Sequence, residues 1–230
     1  SKRKEKIDWC IVGEPSSTKK LGDTVRIGRR GSLSGLMTLR GVQGHVAYPA
    51  EARNPIHDLA NLVRAINCKP IDNGTENFPP TSFQMVNVHS DAGAPNVIPG
   101  ELKCRFNFRY STHWTQESLS AHVENLIASL GIDCAITWRN AGDPFFTQAG
   151  HLSKAISTAI NEHTGINPEL STSGGTSDGR FIAPHGVDVV EFGPLNKTIH
   201  KVNEEVLIKD IPKLADIYYR TAELLLEGKT

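Results

Sequence analysis

In the stretch from Glu101 to Tyr110, Leu102, Cys104, Phe106 and Phe108 alternate with Lys103, Arg105, Asn107 and Arg109. A period of two with one apolar face commits this stretch to a strand in a sheet covered on one side. The same alternation marks Ser32 to Arg40, where Leu33, Gly35, Met37 and Leu39 share a face, and Cys134 to Trp138; Ser82 to His89 reads as a further strand. Two segments of helical period fall among these strands. Pro55 to Cys68 carries Ile56, Leu59, Ala60, Val63 and Ile66, with Asn54 placed to cap and Pro55 at the first helical position. Thr115 opens the second, whose stripe is Leu119, Val123, Leu126, Ile127 and Leu130 and which Gly131 stops. The order strand, helix, strand, strand, helix, strand predicts a ferredoxin-like βαββαβ sandwich over residues 31–143, large enough to fold as one domain.

On both sides of that sandwich the sequence alternates as an α/β fold does. Ile7 to Val12 is nearly continuously apolar and stops at Gly13, the pattern of a strand buried on both faces of a parallel sheet. Thr24 to Gly28 and Val187 to Phe192 are further strands, and Gln148 to Glu162 and Lys209 to Glu227 are helices. The fold class is therefore α/β, with residues 1–30 and 144–230 forming one domain that residues 31–143 interrupt.

Charge and composition narrow the partners. Lys plus Arg equal Asp plus Glu at 25 each, so neither a nucleic-acid nor an acidic-membrane partner is expected. The one charge run, SKRKEK at the amino end, reads as solvated. With no run of 18 apolar residues and no signal-peptide pattern, a soluble cytoplasmic chain is expected. Cys10, Cys68, Cys104 and Cys134 are dispersed without metal spacing and read as buried, reduced thiols. The chain has no initiator Met and Ile7 already begins a strand, so a piece of a longer protein is expected.

The residues able to carry chemistry cluster in loops. Ser171 to His200 places Gly174, Gly175 and Thr176 where backbone amides are exposed ahead of an expected helix from Arg180 to Ala183, a turn able to hold an anion. The strand that follows ends at Gly193-Pro194 and delivers Asn196 and His200 to its carboxyl end, the edge where α/β sheets bind ligands. Glu14-Pro15 occupies the corresponding end of the first strand, either as a metal ligand or general base or as a solvated acid. Arg29-Arg30 reads either as surface charge or as a carboxylate clamp. His45, within GVQGHVAYP, is either a structural or exposed histidine or a donor to a developing oxyanion. Asn96 sits in a loop stiffened by Pro95 and Pro99, and spacing leaves open whether it also binds a ligand.

Taken in order, GEP at Glu14, GRRGS at Arg29, GxxGHVAYP at His45, NVIPGE at Asn96, GGTSDGRF at Gly174 and GPLNxTIHKxNE at His200 resemble the di-zinc aminoacylase and carboxypeptidase family, from about Ile7 to the carboxyl end. Within it the resemblance is to members that remove a succinyl group from a diamino dicarboxylic acid, in bacterial lysine and cell-wall precursor synthesis. The resemblance implies two zinc ions per full-length subunit, with cobalt also suited to the ligands. It implies Glu14 as carboxylate ligand of one metal and His200 as histidine ligand of the other. It also implies a homodimer through residues 31–143, a lid whose closure carries His45 to the partner's site as catalytic oxyanion donor, with Asn96 reaching across the same dimer. Arg29, Tyr48, Arg109, Gly175, Thr176 and Asn196 would form the pocket for the carboxylates of a small dicarboxylate amide. Hydrolysis of an unactivated amide suits a metal that lowers the pKa of its bound water to about 7.

The pattern also has gaps. The family's His-x-Asp motif, bridging aspartate and catalytic Glu-Glu pair have no counterpart, and Glu204-Glu205 falls after the histidine ligand. One ligand per metal is short of the three protein ligands of catalytic zinc, so the chain alone is expected to be inactive and to bind zinc weakly or not at all. Two competing readings are an acetylated or peptide substrate and a non-catalytic dimerisation module.

Overall fold

A computed structural model describes residues 6–227; of the basic run at the amino end, only Lys6 lies among them. In chain order the strands and helices begin with β1 (Trp9–Val12), β2 (Thr24–Arg26), β3 (Gly28–Arg29), β4 (Gly31–Arg40) and β5 (Gly44–His45). They continue with α1 (Pro55–Asn67), β6 (Ser82–His89), β7 (Val97–Ile98), β8 (Glu101–Tyr110), α2 (Gln116–Ser129) and β9 (Cys134–Gly142). Then come β10 (Phe145–Phe146), α3 (His151–Thr164), β11 (Glu169–Ser171), β12 (Asp188–Glu191) and α4 (Asp210–Glu227). The chain separates into two compact units, residues 1–30 with 144–230 and residues 31–143.

The 31–143 unit is an antiparallel sheet in the order β6-β8-β4-β9, which is the ferredoxin-like arrangement of a βαββαβ chain. The alternation in β4 and β8 puts Leu33, Met37, Leu39, Leu102, Cys104, Phe106, Phe108 and Tyr110 on one buried face. That face packs Leu59, Leu62 and Ile66 of α1 and Leu119, Val123 and Ile127 of α2. Gly35 pairs directly with Phe106, whose ring lies where a β-carbon on residue 35 would stand. The helix ends follow the capping rules: Asn54 Oδ1 accepts from Ile56 N at 2.9 Å, and Thr115 and Ser118 form a capping box. Gly131, at φ 64, ends the second helix.

The other unit holds a four-stranded sheet in the order β1-β12-β2-β11. β1 runs parallel to β12, and β11 parallel to β2. Leu152, Ile156 and Ile160 of α3 and Ile217 of α4 cover it together with Val190 and Phe192. Tyr218 Oη donates to Phe192 O at 2.5 Å, and burial pushes this phenol up to about 12. Among the described residues no helix is long and apolar enough to cross a membrane.

Four expectations need correction. β1 packs on both faces, Trp9 and Ile11 against one apolar cluster and Cys10 and Val12 against another, but among the described residues it is an edge strand and only half-buried. The expected helix at Arg180–Ala183 is two short 3-10 turns, Asp178–Phe181 and Ala183–His185, because Pro184 and Gly186 interrupt it. Cys68 is exposed at the end of α1, and Cys10 and Cys134 are half-buried, so among the thiols only Cys104 is enclosed. Helix α3 starts at His151 rather than Gln148, since Gly150 caps it and Ser153 Oγ accepts from Gly150 N at 2.9 Å.

One tight turn has a consequence for acid stability. The carboxylate of Asp23 accepts from the amides of Thr18 (2.8 Å), Lys19 (2.6 Å) and Lys20 (3.0 Å) and from Thr18 Oγ1 (2.9 Å). Burial by itself would raise the Asp23 pKa, but these hydrogen bonds outweigh it and hold the group at about 2, below the ordinary 3.8. A carboxyl depressed on folding contributes stability above its unfolded pKa and loses it as pH falls through the folded one. Asp23→Asn is therefore expected to flatten the acid limb of the stability curve between about pH 4 and pH 2. Urea unfolding across that range checks it; an unchanged slope would remove Asp23 from the account.

Candidate functional site

In the first unit, the loops after β1 and β12 are laced together. Ser17 Oγ donates to Gly193 O at 2.9 Å and Gly193 N to Ser16 Oγ at 3.2 Å. Ser17 N donates to Pro194 O at 3.2 Å and Asn196 N to Ser17 O at 2.9 Å. The α-carbon of Gly193 lies against the Glu14 carbonyl so closely that a β-carbon there would strike the backbone. Glu14, half-buried, and Asn196, half-buried, are thereby fixed in neighbouring segments at the carboxyl ends of two parallel strands. His200 is exposed, has a φ of 59, and follows in a loop that Thr198 closes through Glu205 at 3.1 Å.

Arg29 is not a surface charge. Its side chain is buried, with Nε donating to Glu191 Oε2 at 2.7 Å, Nη2 bonding the same oxygen, and Nη1 donating to Ser173 O at 3.1 Å. Ser177 Oγ donates to the other Glu191 oxygen. Arg26 Nη1 donates to Ser171 Oγ at 2.8 Å and also to Ser173 Oγ. The clamp expected of Arg29 thus closes on an internal carboxylate, and that carboxylate organises the 173–177 loop. Gly174 takes a φ of +101 and lies against the Arg29 guanidinium, a place open only to glycine. Gly175 is exposed at the loop's crest, and Thr176 Oγ1 accepts from Arg180 Nη1 at 3.3 Å. No α-helix starts after this loop; the two short 3-10 turns, Asp178–Phe181 and Ala183–His185, follow it instead.

Glu191, Ser177, Ser173 and Arg26 were not among the sequence candidates. One signal was available: Glu191, set between Val190 and Phe192 in the strand Val187 to Phe192, requires a cation or hydrogen-bond partners if it is buried.

In the 31–143 unit, β5 pairs with β7 so that His45 faces Val97. This sets His45 Nε2 and the Asn96 side-chain amide 3.3 Å apart. Ala47 N donates to His45 Nδ1 at 3.0 Å. A backbone N–H only donates, so Nδ1 carries the lone pair and the proton sits on Nε2. The nearer Asn96 atom is Nδ2, so the amide accepts from that N–H when it is turned to face the ring with its oxygen. Tyr48, 61% exposed, lies beside the histidine with ring centroids 5.7 Å apart. Arg109 is half-buried on β8, and among the described residues its enclosed Nη1 has no hydrogen-bond partner, a donor in want of an acceptor.

The ten predicted residues therefore fall into two sets. Glu14, Arg29, Gly175, Thr176, Asn196 and His200 belong to one unit, and His45, Tyr48, Asn96 and Arg109 to the other. Among the described residues no three His, Cys, Asp or Glu side chains come together as a metal-ligand set.

Comparison with known proteins follows the same division. Residues 27–133 match the peptidase dimerisation domain. A protein named succinyl-diaminopimelate desuccinylase from Nitrosomonas europaea is 54% identical over 97% of this chain and 60% of its own length. One of the same name from Acinetobacter baumannii is 54% identical over 98% of this chain and 60% of its own length. The chain thus spans 60% of the length of these curated relatives. Among solved structures, an aminopeptidase from Bacillus cereus superposes with a TM-score of 0.77 at 18% identity, over 95% of this chain and 57% of that one. A metallo-carboxypeptidase from Sulfolobus solfataricus gives 0.73 at 16%, over 93% of this chain and 62% of that one. These last two likenesses carry the fold.

Proposed function

We propose, for a chain that carries a peptidase dimerisation domain and is homologous over 97% of its length to desuccinylases, that the whole protein hydrolyses N-succinyl-LL-2,6-diaminopimelate to succinate and LL-2,6-diaminopimelate. Water adds its oxygen to the succinyl carbonyl carbon, the carbon–nitrogen bond breaks, and the amine nitrogen takes the proton. The observation that carries the reading is the 54% identity to desuccinylases, whose level and extent exceed those of any fold likeness above.

Zinc is the cofactor of this reading, two per subunit, with cobalt able to replace it; when bound it supplies a water ionised near neutral pH. The described residues do not make up a catalytic zinc site of three protein ligands, so no step is assigned through the metal. Glu14 and His200 are the ligands this chain offers, one to each ion. The protein works in the bacterial cytoplasm as a homodimer through residues 31–143.

The side chains have separable tasks. His45 Nε2–H donates to the oxygen that gains charge as the carbonyl carbon becomes tetrahedral. Asn96 and Tyr48 hold the imidazole in place. In the 31–143 unit Arg109 is the residue assigned to a substrate carboxylate, and in the other unit the same task is assigned to the loop at Gly175 and Thr176 and to Asn196. Arg29 shapes that loop from beneath.

The test compares substrates. The whole protein is expected to turn over the succinylated diamino acid with a kcat/KM at least about a hundredfold above that of its acetylated analogue, since a carboxylate-binding site left empty loses several kcal/mol. The 230-residue chain alone is expected to show no turnover. Equal rates on the two acyl groups would favour a deacetylase instead, and turnover by the chain alone would refute the assignment of missing ligands.

A further inference from the structure

Four lysines of the first unit share a cavity that nothing in the proposed reaction uses. A volume of about 360 Å³ is bounded by the turn at Lys19 and Lys20, by His163 at the end of α3, and by Lys209, Asp210 and Lys213 at the start of α4, over an apolar floor. The chain as a whole has no net charge, yet four lysines and one acid, Asp210, line this cavity. Among the described residues none of the four lysines makes an ion pair. Like charges concentrated in a concave, partly apolar surface raise the local potential and draw in a counter-ion.

Two of the walls are tied by hydrogen bonds. Asp23 spends its carboxylate on the amides of Thr18, Lys19 and Lys20, so it fixes the turn that presents Lys19 and Lys20. The His163 ring is held by a 2.9 Å bond between Nδ1 and the Ala159 carbonyl. A preformed wall lowers the ordering cost of binding. The lining also contains no arginine. Planar carboxylates are matched by guanidinium forks, whereas ammonium groups act as point charges that suit tetrahedral phosphate from several directions.

We propose that this cavity binds a small, multiply charged phosphate anion, such as inorganic pyrophosphate or the diphosphate of a nucleotide. The proposal is independent of which amide the whole protein hydrolyses.

Isothermal titration of the chain with inorganic pyrophosphate tests it, with ADP and citrate as parallel arms. Saturable binding of one pyrophosphate per chain is expected, weakening as salt is added. Lys20→Gln with Lys209→Gln is expected to weaken it about tenfold or more, since each removed charge is worth on the order of a factor of five in water. Lys20→Arg with Lys209→Arg is expected to retain it. All four positions are exposed, and a thermal melt confirms that the variants fold. ADP binding as tightly as pyrophosphate identifies a nucleotide site, and weaker ADP binding identifies the phosphate alone; both support the proposal. No saturable binding at millimolar pyrophosphate, binding unchanged in the glutamine pair, or citrate bound as tightly as pyrophosphate would each overturn it.

Discussion

Replacing Glu191 with alanine is expected to destabilise the unit that contains it by about 3–5 kcal/mol, the cost of removing one partner of an enclosed ion pair. The residue is fully buried, and its two oxygens satisfy Arg29 Nε, Arg29 Nη2 and Ser177 Oγ at once. Alanine leaves Arg29 Nε and Nη2 and the Ser177 hydroxyl without the carboxylate that accepts their hydrogen bonds. The companion result is as informative. A double replacement of Arg29 and Glu191 by methionine is expected to recover most of the loss, because the desolvation of both charges disappears together. Glu191→Gln should fall between the two, since it keeps the shape but loses the charge-assisted bonds. Denaturant unfolding of all three variants checks this. A loss below about 1 kcal/mol in Glu191→Ala would place the pair among surface-like interactions. The 173–177 loop should loosen in the same variant, because Arg29 also holds the Ser173 carbonyl.

That ion pair also marks where the chain was legible and where it was not. Binary patterning was enough for the 31–143 unit: the alternation in Glu101 to Tyr110 and the caps at Asn54 and Thr115 placed its strands and helices. Each of those signals is local, and the tertiary structure reinforces it. The short pairings β3 with β10 and β5 with β7 were missed, since two-residue strands have no period to read. The internal partner of Arg29 was missed because Glu191 lies 162 positions away, a separation at which spacing carries no information. Ile7 to Val12 read as enclosed because it is apolar; its edge position depends on which strands flank it, which composition does not encode. Of the candidate site, the motifs located the loops, while only the folded backbone shows Glu14 and Asn196 fixed in adjacent segments and His45 beside Asn96.

His45→Ala in the whole protein is expected to lower kcat by about a hundredfold to a thousandfold, the usual consequence of losing one donor to a developing oxyanion, with a far smaller change in KM. The geometry makes the donor specific. Because the Ala47 amide donates to Nδ1 at 3.0 Å, the proton is on Nε2, and the ring cannot exchange its tautomer without breaking a backbone hydrogen bond. Asn96, 3.3 Å from Nε2, holds the ring in register until substrate arrives. Asn96→Ala should therefore cost less than His45→Ala, and the double variant should cost little more than His45→Ala alone, since a positioning residue has nothing left to position. His45→Gln discriminates further. It keeps an N–H donor but not the ring that Ala47 orients, so partial recovery would credit the donor and none would credit its placement. The chain folds this loop on its surface, with His45 and Tyr48 exposed, so the substitutions should leave the melting temperature within about 2 °C of the parent's. A thousandfold loss of kcat accompanied by a large fall in stability would instead assign His45 to structure, and full activity in His45→Ala would remove it from the chemistry.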